Sequence, residues 1–346
     1  MRGRPGNEDD TIIVRASAPA RPMRRRSLFY AGLGGSAALL TAAGLGAFWW
    51  QRGAKPIPIG TATEAEIDQT QPCKTIVTYL APDKSVVVID FPSLLVQGLT
   101  LDRVAAFVEK AGVPHDRLLN DAALDAAITA GGDTVASYYY GHDYQAADLA
   151  RFFALAQSEG IALYPQELWL KQLLRQLGWL QPGANGAIIT LPGAGGDVSP
   201  EMRAVILRHE ISHGAFYTVP EYRHYVEQFW ASLTPDDRAA FTAFLGRQGY
   251  DTSLTELMLN ETQAYLIFTR DPRFFNAAAI GKTEAEVEQL RQGFIANMPD
   301  FWLTPLADSP LPPVPASMPA CPEKQAMLAP GKRLCLCYRS AGFACG

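Results

Sequence analysis

His209-Glu210-Ile211-Ser212-His213 places two imidazoles four residues apart with a carboxylate between them. On a helix, positions i and i+4 share one face, so both rings can reach a single Zn²⁺. Glu210 lies about 100° further round the axis, beside such a metal rather than on it. That is the place for a general base that takes a proton from a zinc-bound water. A catalytic zinc also needs a third protein ligand and an open position. Over Ser253–Arg270, Leu254, Leu257, Met258, Glu261, Ala264, Tyr265 and Phe268 recur at helical spacing, with Glu261 in the centre of an otherwise apolar face. A bare carboxylate there is costly unless it is paired or metal-bound, which makes Glu261 the expected third ligand. Glu256 falls with Asn260 and Gln263 on the polar side and is excluded. In the 220–233 pattern, His224 and Glu227 fall off the apolar stripe of Tyr222, Val226, Phe229, Trp230 and Leu233 and are excluded as ligands. Tyr217, His224 and Tyr265 remain open as donors to a developing oxyanion.

The string Asn260-Glu261-Thr262-Gln263-Ala264 is similar to the N-E-x-x-A that carries the third zinc ligand in some gluzincin metallopeptidases. With H-E-x-x-H upstream, residues 186–270 resemble a zincin active site. Phe216 and Val219 stand where the metzincin pattern requires Gly and His, so that branch is excluded. The resemblance implies zinc-dependent hydrolysis of a peptide or protein substrate, with His209, His213 and Glu261 as ligands and Glu210 as base. It also implies a strand ahead of the first motif helix beside the substrate cleft, a place that Gly186–Leu191 fills by position. A zinc amidohydrolase acting on cell-wall amides is the alternative within enzymes. A non-catalytic envelope scaffold or binding protein is the alternative outside them, and the retained Glu210 argues against it.

These residues need elements to hold them. Ser199 as N-cap and Pro200 at the first helical position open a helix to Tyr217. Met202, Val205, Ile206, His209, His213 and Phe216 form one stripe of it, and Ala204, Leu207, Ile211 and Ala215 a second apolar side, so the helix is expected to be buried. Further helices are expected over about 100–112, 120–130, 145–159, Pro165–Trp179 and Pro220–Leu233, after Thr234-Pro235, over Ser253–Arg270, and after the capping box at Thr283. Lys74–Leu80 and Ser85–Phe91 read as a hairpin, and Ile161–Tyr164 and Gly186–Leu191 as short strands. The expected class is α+β, mainly helical, with a zincin-like catalytic domain over 73–303. Tyr138-Tyr139-Tyr140-Gly141-His142 reads first as packing and second as cleft lining, and Gly193–Gly196 as a flexible connector.

The 346 residues carry 30 Lys+Arg against 35 Asp+Glu, and this net of −5 gives no basic footprint for nucleic acid. The charge is uneven. Residues 1–26 hold seven Arg against three acids, a net of +4, which leaves −9 for the rest. Between them Ser27–Trp50 is an uncharged, mostly apolar run of 24 residues, long enough to span a bilayer as a transmembrane helix. Arg24-Arg25-Arg26 places its start in the cytoplasm and the body on the far, periplasmic side. Arg25-Arg26-Ser27-Leu28-Phe29 also resembles a twin-arginine export signal, so anchor and cleaved signal stay open. Residues 51–72 read as a linker, 304–322 as an extended Pro-rich segment, and 323–346 as the Cys-rich tail. Outside the cytoplasm Cys73, Cys321, Cys335, Cys337 and Cys345 are expected to form disulfides, with the pairing open and Cys73 either free or tied into the tail.

Overall fold

Val86 to Phe91 is a run of β-branched and aromatic residues with no polar side until Asp90, the pattern of a strand buried on both faces. In the computed structural model, which describes residues 55–316, 318–319 and 321, it is the middle of a five-stranded mixed sheet. The strands are β1 (Gly60–Ala62), β2 (Ile76–Leu80), β3 (Asp83–Phe91), β4 (His142–Gln145) and β5 (Ala187–Pro192). The spatial order is β1-β2-β3-β5-β4. β2 and β3 form the expected antiparallel hairpin, β5 runs parallel to β3, and β4 closes the edge antiparallel to β5 with Asp143 opposite Ile189.

Both faces are covered. Val87, Ile89, Phe91 and Ile188 point into one core, built with α2 (Leu94–Val108), α3 (Asp121–Ala130), α4 (Ala146–Ser158) and α5 (Pro165–Leu177). Val86, Val88, Ile189 and Leu191 point into the other. That second core is built with α1 (Glu64–Asp68), α6 (Pro200–Thr218), α7 (Pro220–Ser232), α8 (Pro235–Arg247), α9 (Thr255–Gln263), α10 (Glu284–Asn297) and α11 (Thr304–Asp308). The chain is therefore α+β and mainly helical, with helices on both sides of a small mixed sheet.

Several expectations change. Ile161–Tyr164 is not a strand: the run is an irregular connection that ends at Tyr164, the N-cap residue of α5. The helix expected from about 100 begins at Leu94, where Ser93 caps it, and ends at Val108. The 51–72 segment carries β1 and α1, and α1 opens on a capping box made by Thr63 and Glu66. The helix expected over Ser253–Arg270 stops at Gln263 and continues as one wide π-turn, Ala264–Phe268. The Pro-rich segment begins with α11 before it becomes irregular. Cys73 pairs with Cys321, their Cα atoms 5.2 Å apart, which ties the C-terminal segment to the body. The run 27–50 and the other three cysteines lie outside the described residues. No helix among the described residues is long and apolar enough to cross a membrane.

Candidate metal centre

α6 carries the two motif histidines through the protein interior. Ser199 accepts from the Met202 N–H at 3.2 Å, Pro200 follows at the first helical position, and most of the helix from Arg203 to Phe216 is buried. Gly214 sets its depth. A Cβ there would lie 2.8 Å from Val86 Cγ1, so only glycine lets the helix lie this close to β3. The arginines that interrupt the apolar surface are anchors. Arg203, fully buried, donates to both Asp90 oxygens at 2.7 and 2.6 Å and to the Ile67 and Pro192 carbonyls. Arg208 pairs with Glu64 and donates to the Leu306 and Ser309 carbonyls, so α6 is gripped from both ends of the fold.

The histidine tautomers follow from their partners. Thr269 Oγ1 gives its one hydrogen to the Ala264 carbonyl at 3.0 Å, so at 2.7 Å it accepts from His209 Nδ1–H. The π-turn delivers Thr269 to that position. Tyr222 O–H donates to Gln263 Oε1 at 2.6 Å, which turns Gln263 Nε2 toward Ser212 Oγ at 3.1 Å and Asn260 Oδ1 at 3.2 Å. Asn260 Oδ1 is thereby the acceptor for His213 Nδ1–H at 2.9 Å. Both Nε2 atoms therefore carry bare lone pairs, and they face each other at 3.0 Å. Burial pushes His209 down to about 4, so its ring stays neutral. Two facing lone pairs repel unless a cation lies between them.

Glu261 completes a triangle. Its oxygens lie 3.7 Å from His209 Nε2 and 3.6 Å from His213 Nε2, and the residue is 1% exposed. Burial pushes its carboxyl up to about 7. Glu256 is half exposed and paired with Arg223 at 2.6 Å, as its place on the outer face requires. Asn260 and Gln263 differ from expectation: they are buried and hold His213 in place. Glu210 lies alongside, its carboxylate against the backbone of Gly141, where a Cβ would sit 2.0 Å from Glu210 Oε1. Its Oε2 is buried and has no hydrogen-bond partner. Burial, then the facing Asp143, Glu261 and Glu109 carboxylates, push Glu210 well above the usual carboxylate range.

Two acids enter the site that sequence spacing does not point to. Asp143, on β4, has Oδ2 3.7 Å from His213 Nε2. Glu109, at the end of α2, accepts from Tyr144 O–H at 2.9 Å, and Tyr144 is held in turn by His142 Nδ1 at 2.9 Å. Among the described residues, three groups of side chains could hold a metal ion: His209–His213–Glu261, Asp143–Glu210–His213 and Glu109–Asp143–Glu261.

The site opens to a cavity of about 500 Å³ whose walls include His209, Glu210, Tyr139, Tyr140, Tyr250 and Tyr265. The tyrosine run is thus both packing and cleft wall, and the strand at the sheet edge is β4, while β5 is interior. Of the three oxyanion candidates, Tyr265 lines the cavity with its ring 4.8 Å from that of His209. Tyr217 lies beside Asp143 and does not line the cavity. His224 is 70% exposed on α7, bonded to Gln228 and Glu227, and is removed from the candidates. No known protein family, curated protein or solved structure matches the chain.

Proposed function

We propose that the protein is a zinc-dependent peptidase of zincin-like design, with zinc held by His209, His213 and Glu261. The observation that carries this reading is the triangle of donors. Tetrahedral zinc with bonds of about 2.0–2.1 Å separates its ligands by about 3.3 Å. The two Nε2 atoms lie 3.0 Å apart, each has a Glu261 oxygen at 3.6 or 3.7 Å (Oε1 for His213, Oε2 for His209), and one donor atom from each residue lies within 4.8 Å of the others, close to that value. The tautomers agree, since each Nδ1–H is committed to a second partner and each Nε2 is left as a donor atom.

A zinc ion there supplies a Lewis acid for the scissile carbonyl. The chain's own residues do the remaining work. Glu210 accepts the proton of the attacking water and returns it to the departing amine, and its raised proton affinity suits both halves of that transfer. Tyr265, the candidate that lines the cavity beside His209, donates to the developing oxyanion. The tyrosine walls flank the substrate on either side of the attacked bond.

The body is placed beyond the cytoplasmic membrane. The charge step across residues 27–50 supports this, and the Cys73–Cys321 pair suits an oxidising compartment.

The test is the full chain purified in detergent. Glu210→Gln is expected to keep about one zinc per chain and to lose hydrolysis of a quenched-fluorescence peptide library. Glu261→Ala is expected to lose zinc, and Glu256→Ala to keep both zinc and activity. A folded wild-type chain that takes up no zinc overturns the reading and returns the chain to the scaffold alternative.

A further inference from the structure

We propose that Glu109, Asp143 and Glu261 hold a second divalent cation, of the hard oxygen-seeking class, beside the zinc, with Glu261 shared between the two sites. The inference rests on the metal-centre reading above.

The three carboxylates come from three separate elements and from both layers of the fold: the end of α2, the edge strand β4, and α9. One oxygen from each lies within 4.8 Å of the others. They are 4%, 7% and 1% exposed, so water does not solvate them as it does a surface acidic cluster. An ion with oxygen ligands at about 2.1–2.5 Å sets neighbouring oxygens about 3 Å apart and opposite ones at up to about 5 Å, which spans this spacing.

A second observation points to a ligand. Two carboxylate oxygens around this space, Glu261 Oε2 and Glu210 Oε2, are buried without any hydrogen-bond partner. Glu210 is not one of the three proposed ligands, yet its carboxylate lies within 4.8 Å of Asp143 and His213 ligand atoms. A native interior rarely leaves such atoms unmatched unless an ion or water meets them. The protein's own cation does not meet them. Lys110, next to Glu109, has its ammonium 4.1 and 4.8 Å from the Tyr138 and Tyr139 ring centres and 4.0 Å from Asp133. It makes no ion pair with the three carboxylates among the described residues. Each of the three meets one tyrosine hydroxyl, Tyr144 on Glu109, Tyr217 on Asp143 and Tyr250 on Glu261, and these neutral groups leave Glu261 Oε2 and Glu210 Oε2 unmatched.

The chemistry of the donors separates the two sites. The first offers two imidazole nitrogens and one carboxylate, a set that suits zinc. The second offers carboxylates alone, a set that suits Mg²⁺, Ca²⁺ or Mn²⁺. Asp143 Oδ2 is 3.7 Å from His213 Nε2, so the second ion sits against the first site and offsets the negative charge that gathers behind it.

Mn²⁺ is the probe, because its free-ion electron-spin signal disappears on binding. The full chain in detergent is stripped with chelator, given one equivalent of zinc, and titrated with Mn²⁺ while bound zinc is followed by elemental analysis. Wild type is expected to bind one Mn²⁺ per chain and keep its zinc. Glu109→Gln is expected to weaken Mn²⁺ binding at least tenfold with zinc retained. Asp143→Asn, which preserves shape at the strand edge, is expected to do the same and carries the test if Glu109→Gln does not fold. Zinc-loaded wild type that binds no Mn²⁺, or folded variants that bind it as wild type does, overturns the second site and leaves the zinc reading standing. A chain that takes no zinc overturns the zinc reading instead.

Discussion

Gly141→Ala isolates the position of the general base from everything else in the site. The new Cβ would lie 2.0 Å from Glu210 Oε1 and 2.7 Å from its Cδ. Ordinary contact begins near 3.4 Å, so the carboxylate must retreat by about 1.4 Å. Gly141 is outside the left-handed backbone region, and the colliding atoms are the far end of a flexible side chain, so alanine itself is tolerated. The remaining close contact, Ile206 Cγ2 at 3.1 Å, needs only a small shift. Displacing a catalytic group by about 1 Å costs about a hundredfold in rate. The expected loss in kcat/KM is therefore about 100-fold, or about 2.7 kcal/mol of transition-state stabilisation. Zinc content and thermal midpoint should stay near those of wild type. The assay is steady-state cleavage of the best peptide from the library, repeated in a Glu210→Gln background. There the alanine should add almost nothing, because the group it displaces has already been disabled. Full activity in Gly141→Ala, or an equal further loss in the Glu210→Gln background, would refute this account of how Glu210 is seated.

Two further predictions concern the rest of the fold. Asp102 is 2% exposed with neither oxygen hydrogen-bonded, and burial pushes its carboxyl up to about 8. Between about pH 4 and 8 the folded chain keeps this proton and the unfolded chain gives it up, so the group's contribution to stability falls as pH rises. Asp102→Asn should flatten that dependence in urea titrations run across the window, and an unchanged slope would contradict it. Replacing Cys73 and Cys321 with Ser opens a link between residues 248 apart and should lower stability by about 2–4 kcal/mol, read by the same titrations. No change in midpoint would mean the tie bears no load.

The parts of the site that lie on long, strongly patterned helices were legible in the sequence. H-E-x-x-H fixes two donors on one helix face without knowledge of the fold, and Glu261 stands out because a lone acid interrupts an apolar stripe. Rejecting Glu256 by the same reasoning agrees with its exposed pairing to Arg223. What the sequence hid depends on contacts between distant elements. β4 is four residues with no alternation, because both of its faces are covered, so Asp143 gave no strand signal. Glu109 sits at a helix end and joins the site only through the sheet edge. Asn260 and Gln263 look solvent-facing on a helical projection, but α6 and α7 cover that side and turn them into the brace for His213. The π-turn has no period of its own, yet it is what carries Thr269 to His209. One missed element did carry a signal: Thr63-x-x-Glu66 is a capping box within the stretch read as linker.

The central claim is that one zinc ion sits among His209, His213 and Glu261. An anomalous difference map recorded at the zinc edge, from crystals of the zinc-loaded chain, tests it most directly. The account predicts a strong peak about 2.0–2.1 Å from both Nε2 atoms and within bonding distance of a Glu261 oxygen. A well-ordered map with no peak there, or with zinc bound by other residues, would contradict it.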